Sequence, residues 1–291
     1  MNTKASGTFS SYLSLIKFSH TVFALPFALI GFLLGLKDSG FHFEWLLAVK
    51  VLLCMVFARS AAMAFNRWAD RAIDAKNPRT ITREIPAGAI SENAALLFTI
   101  LNALLFVVTT YFINHLCFYL SPIALLVVLG YSYTKRFTSL CHIVLGVGLS
   151  LAPIGAYLSV TGVFSSEPLF YSFAVLCWVS GFDIIYALQD DVFDRENQLK
   201  SIPSVLGRKN ALIVSRMLHI FTVVFLAIAI SYNSFGTAGY AGLVLFALLL
   251  IYQHSLVKEN DLSKVNIAFF TTNGIASVAF ATCLSFGMFM N

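Results

Sequence analysis

The sequence predicts an all-α membrane protein built from nine transmembrane helices. Of its 291 residues, 58% are hydrophobic and 11% are charged, whereas a soluble domain averages about 45–50% apolar and about 25% charged residues. A helix needs roughly 20 apolar residues to cross the hydrocarbon core of a bilayer, so nine helices take about 180 residues. This composition excludes a disordered chain, a nucleic-acid-binding protein and a small secreted module.

Apolar stretches give the order of these helices. They lie near residues 18–36, 45–66, 94–113, 115–133, 141–161, 168–188, 210–231, 236–254 and 266–288. Short connections with little charge alternate with long or basic ones, which are 67–93, 134–140, 189–209 and 255–265. Because most lysines and arginines lie in the second kind, the positive-inside rule predicts that the N-terminus and these loops are cytoplasmic. The expected location is a bacterial inner membrane.

The first of two carboxylate clusters stands at the predicted cytoplasmic end of the second helix. Asn66, Asp70 and Asp74 follow each other at intervals of four residues. On a continuous helix these three side chains share one face. We expect Asn77 and Pro78 to end this helix.

The second cluster follows the sixth predicted helix. On an ideal helix, Asp190 and Asp194 lie about 20° either side of Asp183, and Tyr186 lies about 60° away. Asp191 turns about 80° off that line. The geometry therefore favours Asp190 and Asp194 over Asp191 as the working pair.

The two clusters belong to a degenerate internal repeat. The matching features are Lys17 with Lys135, Asp70 with Asp190, Asp74 with Asp194, and residues 83–86 with 200–203, which both read basic-x-Ile-Pro. We predict one transmembrane domain over residues 1–291. Its pseudo-repeats cover about 14–133 and 134–254, and the ninth helix covers 266–288.

Carboxylate pairs surrounded by lysine and arginine suit a site for Mg²⁺ and a diphosphate. Mg²⁺ prefers oxygen ligands, takes one or two carboxylates, and completes its shell with water and phosphate oxygens. Neutralising a diphosphate leaving group lets an allylic C1–O bond ionise. The alternative is that the aspartates form solvated ion pairs with Arg67, Arg71 and Arg195. The matched spacing in two halves favours the Mg²⁺ site.

Several motifs together resemble one known family. They are Asn66-Arg67-x-x-Asp70-x-x-x-Asp74, Arg79-Thr80, Ile85-Pro86-Ala87-Gly88, Lys135-Arg136, Asp183-x-x-Tyr186-x-x-x-Asp190-x-x-x-Asp194 and the opening segment that starts at Lys17. This set resembles the UbiA family of intramembrane aromatic prenyltransferases over nearly the whole chain. The resemblance implies a nine-helix bundle that binds a polyprenyl diphosphate through Mg²⁺ and attaches the prenyl chain to an aromatic ring. The opening segment is most similar to members of the ubiquinone and menaquinone pathways that use 4-hydroxybenzoate or a dihydroxynaphthoate.

The resemblance also implies a role for each matched residue. The expected Mg²⁺ ligands are Asp70, Asp74, Asp190 and Asp194. The expected diphosphate-binding residues are Asn66, Arg67, Lys17 and Lys135. Asp183 and Tyr186 complete the catalytic set, and Asp183 either orients a metal-bound water or polarises the acceptor hydroxyl. Apart from the resemblance, we expect Arg59 and Arg136 to bind the acceptor.

Arg59 is a charged residue inside the second predicted helix. It precedes Asn66 by seven residues, so it lies close to the same helix face and roughly 10 Å deeper. An intramembrane arginine needs an anion, and the carboxylate of the aromatic acceptor is our hypothesis. A structural pairing with Asp183 is the alternative. His20 and His142 are expected to be hydrogen-bonded packing residues and not bases.

Two kinds of alternative to this function stay open. The first is another branch of the same family, which acts in protoheme, chlorophyll or homogentisate prenylation. From a different class, a secondary transporter also contains repeats and intramembrane carboxylates. Its coupling carboxylates would be expected near the bilayer midplane, whereas those of this chain lie at helix ends.

Overall fold

The computed structural model describes residues 9–16, 25–232 and 235–290. Over these residues the regular backbone is helical, with one isolated β-bridge between Lys258 and Asp261. Eight helical stretches in this part are long and apolar enough to cross a membrane. A helix satisfies its backbone hydrogen bonds internally, as a bilayer requires. The chain is therefore an integral membrane protein.

The described part of the chain contains twelve α-helices. They are α1 (Phe9–Leu15), α2 (Leu25–Asp38), α3 (Trp45–Ala69), α4 (Arg71–Asp74), α5 (Glu92–Tyr111), α6 (His115–Thr134), α7 (Cys141–Thr161), α8 (Ser166–Ala187), α9 (Asp191–Glu196), α10 (Ile202–Tyr232), α11 (Gly236–Leu256) and α12 (Asn273–Met290). A 3₁₀ turn, Leu188–Asp190, joins α8 to α9, and a π-helix, Ile267–Thr272, precedes α12.

Eight of the nine predicted membrane helices have counterparts in the structure. These counterparts are α3, α5, α6, α7, α8 with α9, α10, α11, and the π-helix with α12. The first predicted helix, 18–36, overlaps α2, which ends at Asp38, but residues 17–24 lie outside the described part. The count of nine therefore stays a prediction.

The chain divides into two compact units. The first contains α1, α3, α4, α5 and nearly all of α6, and the second contains α2 and α7 to α12. In the first unit α3 packs on α5. A buried cluster of Leu15, Ala64, Ile85, Ile90 and Ala95 holds the loop after α4 against these helices. Ile85 and Ile90 therefore fix this loop to the first unit, although other residues of the loop are exposed.

In the second unit, α8 packs between α7 and α10. Glycines allow these helices to approach closely, because a Cβ at Gly146 would collide with the backbone of Leu176 and one at Gly181 would collide with the ring of His219. Trp178 of α8 is fully buried. The helix that leads into the second carboxylate motif is thus the most buried of the candidate membrane helices.

Both long cytoplasmic loops predicted from the sequence contain helices. Residues 67–93 include α4, and residues 189–209 include α9 and the start of α10. Pro203 fits there because the first turn of a helix does not need its N–H group. At Gly207 the helix α10 is interrupted, with φ 78° and ψ 164°. The predicted start near residue 210 corresponds to the helix that continues after this break.

Candidate active site

The first carboxylate motif lies where α3 passes into α4. Backbone hydrogen bonds from Asp70 N to Asn66 O (2.9 Å) and from Asp74 N to Asp70 O (2.8 Å) keep the four-residue register. Asn66 Nδ2 also donates to Asp70 Oδ2 over 3.1 Å. The spacing of the three side chains is thus maintained by the backbone.

The prediction that this helix runs unbroken to Pro78 is wrong. Helix α3 ends at Ala69, Asp70 adopts φ −94° and ψ 4°, and α4 ends at Asp74. Thr80 Oγ1 then donates to the carbonyl oxygen of Asp74 over 3.1 Å. A side chain thus satisfies a carbonyl at the helix end, so the chain can turn before it reaches the proline.

Asp74 is buried and forms an ion pair with Arg83. Nη1 of Arg83 donates to Oδ1 over 2.7 Å and to Oδ2 over 2.9 Å. Arg83 is not among the site residues predicted from the sequence, although its basic-x-Ile-Pro segment recurs in both predicted repeats. That recurrence is the signal that points to it. The charge of Asp74 is balanced within the first unit.

Two arginines of α3 have a buried nitrogen without a hydrogen-bond partner among the described residues. The Nε atoms of Arg59 and Arg67 are buried, and their N–H groups donate to no hydrogen-bond acceptor among the described residues. The whole of Arg67 is only 6% exposed. Because a buried polar group without a partner is costly, both nitrogens suit an anionic ligand.

The second motif is interrupted by the 3₁₀ turn. Asp183 lies on α8, Asp190 ends the turn, and Asp194 lies on α9. Angles calculated for one continuous α-helix therefore do not apply between Asp183 and Asp194, which corrects that prediction. The cause is local, since a 3₁₀ turn advances three residues per turn and shifts the rotation of everything after it.

Asp194 is fully buried beside Lys135, so the structure brings together two predicted site residues. Nζ of Lys135 lies 2.6 Å from Oδ1. Ser201 Oγ donates to Oδ2 over 2.8 Å. Ser201 is a further contact that the sequence did not predict, because it depends on the fold of the segment after α9.

Asp191 has a different set of partners from its neighbours. Arg208 Nε donates to Oδ2 over 2.9 Å and Nη2 to Oδ1 over 2.8 Å. Arg195 Nη2 lies 3.8 Å from the same carboxylate. Asp191 is thus engaged in an ion pair of its own, which is buried and not solvated on the aspartate side.

Asp183 contacts a histidine. Oδ2 of Asp183 lies 2.7 Å from Nδ1 of His142, which is buried. The expectation that His142 is a hydrogen-bonded packing residue agrees with this contact. Asp183 therefore has a hydrogen-bond partner other than Arg59, the partner that the alternative gave it.

Tyr186 packs on the π-helix. Its ring centroid lies 4.2 Å from that of Phe269, with the planes 31° apart.

The remaining predicted site residues differ in exposure. Asp190 is 8% exposed. Arg136 is exposed, in the turn after α6. Lys17 and His20 lie outside the described residues.

The donor set of each motif fits Mg²⁺ that arrives with a diphosphate. Among the residues that the structure describes, no three histidine, cysteine or carboxylate side chains form a ready metal cluster. Mg²⁺ does not need such a cluster, because it keeps water and phosphate oxygens and takes only one or two protein carboxylates. Both motifs provide carboxylates, and the Nε of Arg67, which has no hydrogen-bond partner among the described residues, provides a donor for an anion.

Comparison with known proteins identifies relatives over most of the chain. The model of the UbiA prenyltransferase family matches residues 24–275. The 4-hydroxybenzoate octaprenyltransferase of Tolumonas auensis is 33% identical over 223 residues, which are 77% of this chain and 78% of that protein.

Solved structures share the fold. The apo structure of a UbiA homolog from Aeropyrum pernix K1 is 29% identical, with a TM-score of 0.79 over 93% of this chain and 97% of that chain. The structure of a UbiA homolog from Archaeoglobus fulgidus bound to DMAPP and Mg²⁺ is 23% identical, with a TM-score of 0.76 over 97% of this chain and 100% of that chain. With a family model that matches well over half of its length, the chain belongs to the UbiA prenyltransferase family.

Proposed function

We propose that this protein transfers the polyprenyl group of an allylic polyprenyl diphosphate to the ring of an aromatic acid. The acceptor is 4-hydroxybenzoate or a dihydroxynaphthoate, and the product enters ubiquinone or menaquinone biosynthesis. The observation that carries the proposal is a pair of carboxylate motifs with adjacent cations in a chain of this family. The name of the Tolumonas relative and the DMAPP and Mg²⁺ in the Archaeoglobus structure support it.

The reaction replaces one bond at C1 of the prenyl chain by another. The allylic C1–O bond breaks, and its electron pair leaves with the diphosphate. A ring carbon of the acceptor then forms a bond to C1 and releases its proton. Because negative charge grows on the diphosphate, groups that hold it in place lower the barrier.

Four residues bind the diphosphate in this proposal. They are Asn66, Arg67, Lys17 and Lys135. The buried, unpartnered Nε of Arg67 supports its role. Lys135 contacts the buried Asp194 and so presents its charge beside the second motif.

Four aspartates hold Mg²⁺ in this proposal. They are Asp70, Asp74, Asp190 and Asp194. When bound, the metal neutralises diphosphate oxygens and so favours departure of the leaving group. Arg83 and Lys135 meanwhile balance the buried charges of Asp74 and Asp194.

The acceptor is bound by the remaining predicted residues. Arg59 and Arg136 hold the acceptor carboxylate, and the buried Nε of Arg59 supports its part. Asp183 and Tyr186 belong to the second motif and complete the catalytic set. Asp183 either orients a metal-bound water or polarises the acceptor hydroxyl. The aspartate side chain is 23% exposed, so one part of it is accessible to a ligand.

The proposal includes the finer architecture and the location. Nine helices span the membrane in one domain, residues 1–291, with pseudo-repeats at about 14–133 and 134–254 and the ninth helix at 266–288. One boundary between the two compact units lies between Tyr133 and Thr134, at the proposed repeat boundary, although Val22–Glu44 of the first pseudo-repeat belongs to the second unit. The basic loops support an orientation in the bacterial inner membrane with the N-terminus and the active-site loops in the cytoplasm.

The test is an assay of the purified protein in lipid nanodiscs. Mg²⁺, an allylic polyprenyl diphosphate and a panel of acceptors are supplied, and prenylated acid and released diphosphate are measured. We expect equal amounts of both products with 4-hydroxybenzoate or a dihydroxynaphthoate, and neither product when Mg²⁺ is chelated. The absence of transfer to every acceptor would refute the proposed prenyltransferase activity. Transfer to homogentisate alone would refute the proposed acceptor.

A further inference from the structure

A buried histidine connects the second carboxylate motif to the segment after it. His142 of α7 is 3% exposed, and its Nδ1 lies 2.7 Å from Oδ2 of Asp183. Its Nε2 lies 3.3 Å from the backbone nitrogen of Ile202. Because a backbone N–H only donates, Nε2 is the acceptor, and the ring proton is on Nδ1, which donates to Asp183.

The segment that His142 reaches also contacts the rest of the motif. We call residues 200–204 the strap. Within it, Ser201 Oγ donates to Asp194 Oδ2 over 2.8 Å. The backbone nitrogen of Lys200 donates to the carbonyl oxygen of Lys135 over 2.7 Å. The strap is therefore bonded to both members of the Lys135–Asp194 ion pair.

We propose that His142 is a positioning residue of the active site. It orients Asp183 through Nδ1, and through Ile202 it fixes the strap that holds Asp194 and Lys135. Both ring nitrogens are used in these bonds, so His142 acts on the reaction through its neighbours and does not contact substrate. This inference rests on the proposed function, because Asp183 and Asp194 matter for catalysis only if that function is right.

Two substitutions separate the two bonds. The side-chain amide of asparagine reaches the position of Nδ1, so His142→Asn retains a donor for Asp183 but does not reach Ile202. The longer glutamine places its amide at the position of Nε2, so His142→Gln retains an acceptor for Ile202 but withdraws the donor from Asp183.

The first readout is hydrogen–deuterium exchange of the protein without substrate, in peptides that contain Ile202. We expect His142→Asn to speed exchange in the strap about tenfold, because one backbone hydrogen bond is lost. His142→Gln should leave this exchange near the wild-type rate. Wild-type exchange in His142→Asn would overturn the link between His142 and the strap.

The second readout is steady-state prenyl transfer. His142→Asn is expected to raise the KM for the polyprenyl diphosphate about tenfold, since Lys135 and Asp194 lose their support. His142→Gln is expected to lower kcat about tenfold with little change in that KM, since only Asp183 loses a donor. Identical kinetic changes in both variants would overturn the assignment of separate roles to the two nitrogens.

The control is His219→Gln. His219 is also 3% exposed and lies in the second unit, but its ring contacts His254 and the carbonyl oxygen of Trp178. We expect wild-type exchange in the strap and wild-type KM for this variant. Equal effects at both histidines would reduce His142 to a packing residue. If the wild-type protein transfers no prenyl group, the proposed function fails, and the exchange experiment still decides whether His142 holds the strap.

Discussion

Asp194 shows how a buried carboxylate is provided with partners. It is fully buried, and Lys135 and Ser201 contact its two oxygens. Breaking a buried ion pair by removing one partner costs about 3–5 kcal/mol, because the other charge is left uncompensated. Lys135 is 34% exposed, so water reduces this cost. The pair therefore contributes to folding as well as to the site.

Lys135→Met is expected to lower the free energy of unfolding by about 2–3 kcal/mol, toward the low end for a buried pair. The measurement is reversible unfolding in mixed detergent micelles. Lys135→Arg, which keeps the charge, is the matched control and should lose much less. The double variant Lys135→Met/Asp194→Asn should regain most of the loss because no charge is left unpaired. A double variant as unstable as Lys135→Met would argue against the ion pair.

At the scale of elements, the break in α10 has a clear cause. Gly207 has φ 78° and ψ 164°, a conformation that is essentially restricted to glycine. A Cβ at this position would meet no atom within 4 Å. The reason for glycine is therefore the backbone conformation and not a lack of space. The residue after the break, Arg208, pairs with Asp191.

Gly207→Ala is expected to lower the free energy of unfolding by about 1–3 kcal/mol through backbone strain. Gly155→Ala is the matched control, because a Cβ there also meets no atom within 4 Å while the residue lies inside the helix α7. That change should leave stability unchanged or raise it by about 0.5–1 kcal/mol. The same unfolding assay measures both. Similar values for the two variants would speak against a break at Gly207.

Membrane helices could be predicted well because their length and composition decide whether they can cross a bilayer. The predicted helix 141–161, for example, coincides with α7, Cys141–Thr161. The 3₁₀ turn Leu188–Asp190 could not be predicted, since apolar periodicity does not distinguish it from a continuing α-helix.

The candidate site was only partly accessible to sequence reasoning. Asp183 and Asp191 lie in the second predicted cluster, but their partners do not stand out in the sequence. His142 is 41 residues from Asp183, and Arg208 is 17 residues from Asp191. Such pairs depend on how helices pack, which a single sequence does not encode as a local pattern.

For the whole molecule, the distribution of charge predicts its orientation in the membrane. Lys76 and Ser166 are exposed and are separated along the chain by α5, α6 and α7. If each of these three helices crosses the membrane, the two residues lie on opposite sides. Lys76→Cys should therefore react with a membrane-impermeant maleimide only in inverted vesicles, and Ser166→Cys only in right-side-out vesicles. The wild-type chain, with its five cysteines, gives the background.

The reverse labelling pattern would contradict the positive-inside orientation. Labelling of both residues from the same side would contradict three crossings between them.

The central claim is that both carboxylate motifs serve prenyl transfer, and Asp70→Asn and Asp190→Asn test it most directly. Asp261→Asn is the matched control, because Asp261 is exposed and accepts hydrogen bonds from Ser263 in the loop before the π-helix. The measurement is the rate of formation of prenylated aromatic acid under saturating Mg²⁺ and substrates. The account predicts a loss of about 100-fold or more for Asp70→Asn and for Asp190→Asn, and a rate within about twofold of wild type for Asp261→Asn. Undiminished transfer by either motif variant would contradict it.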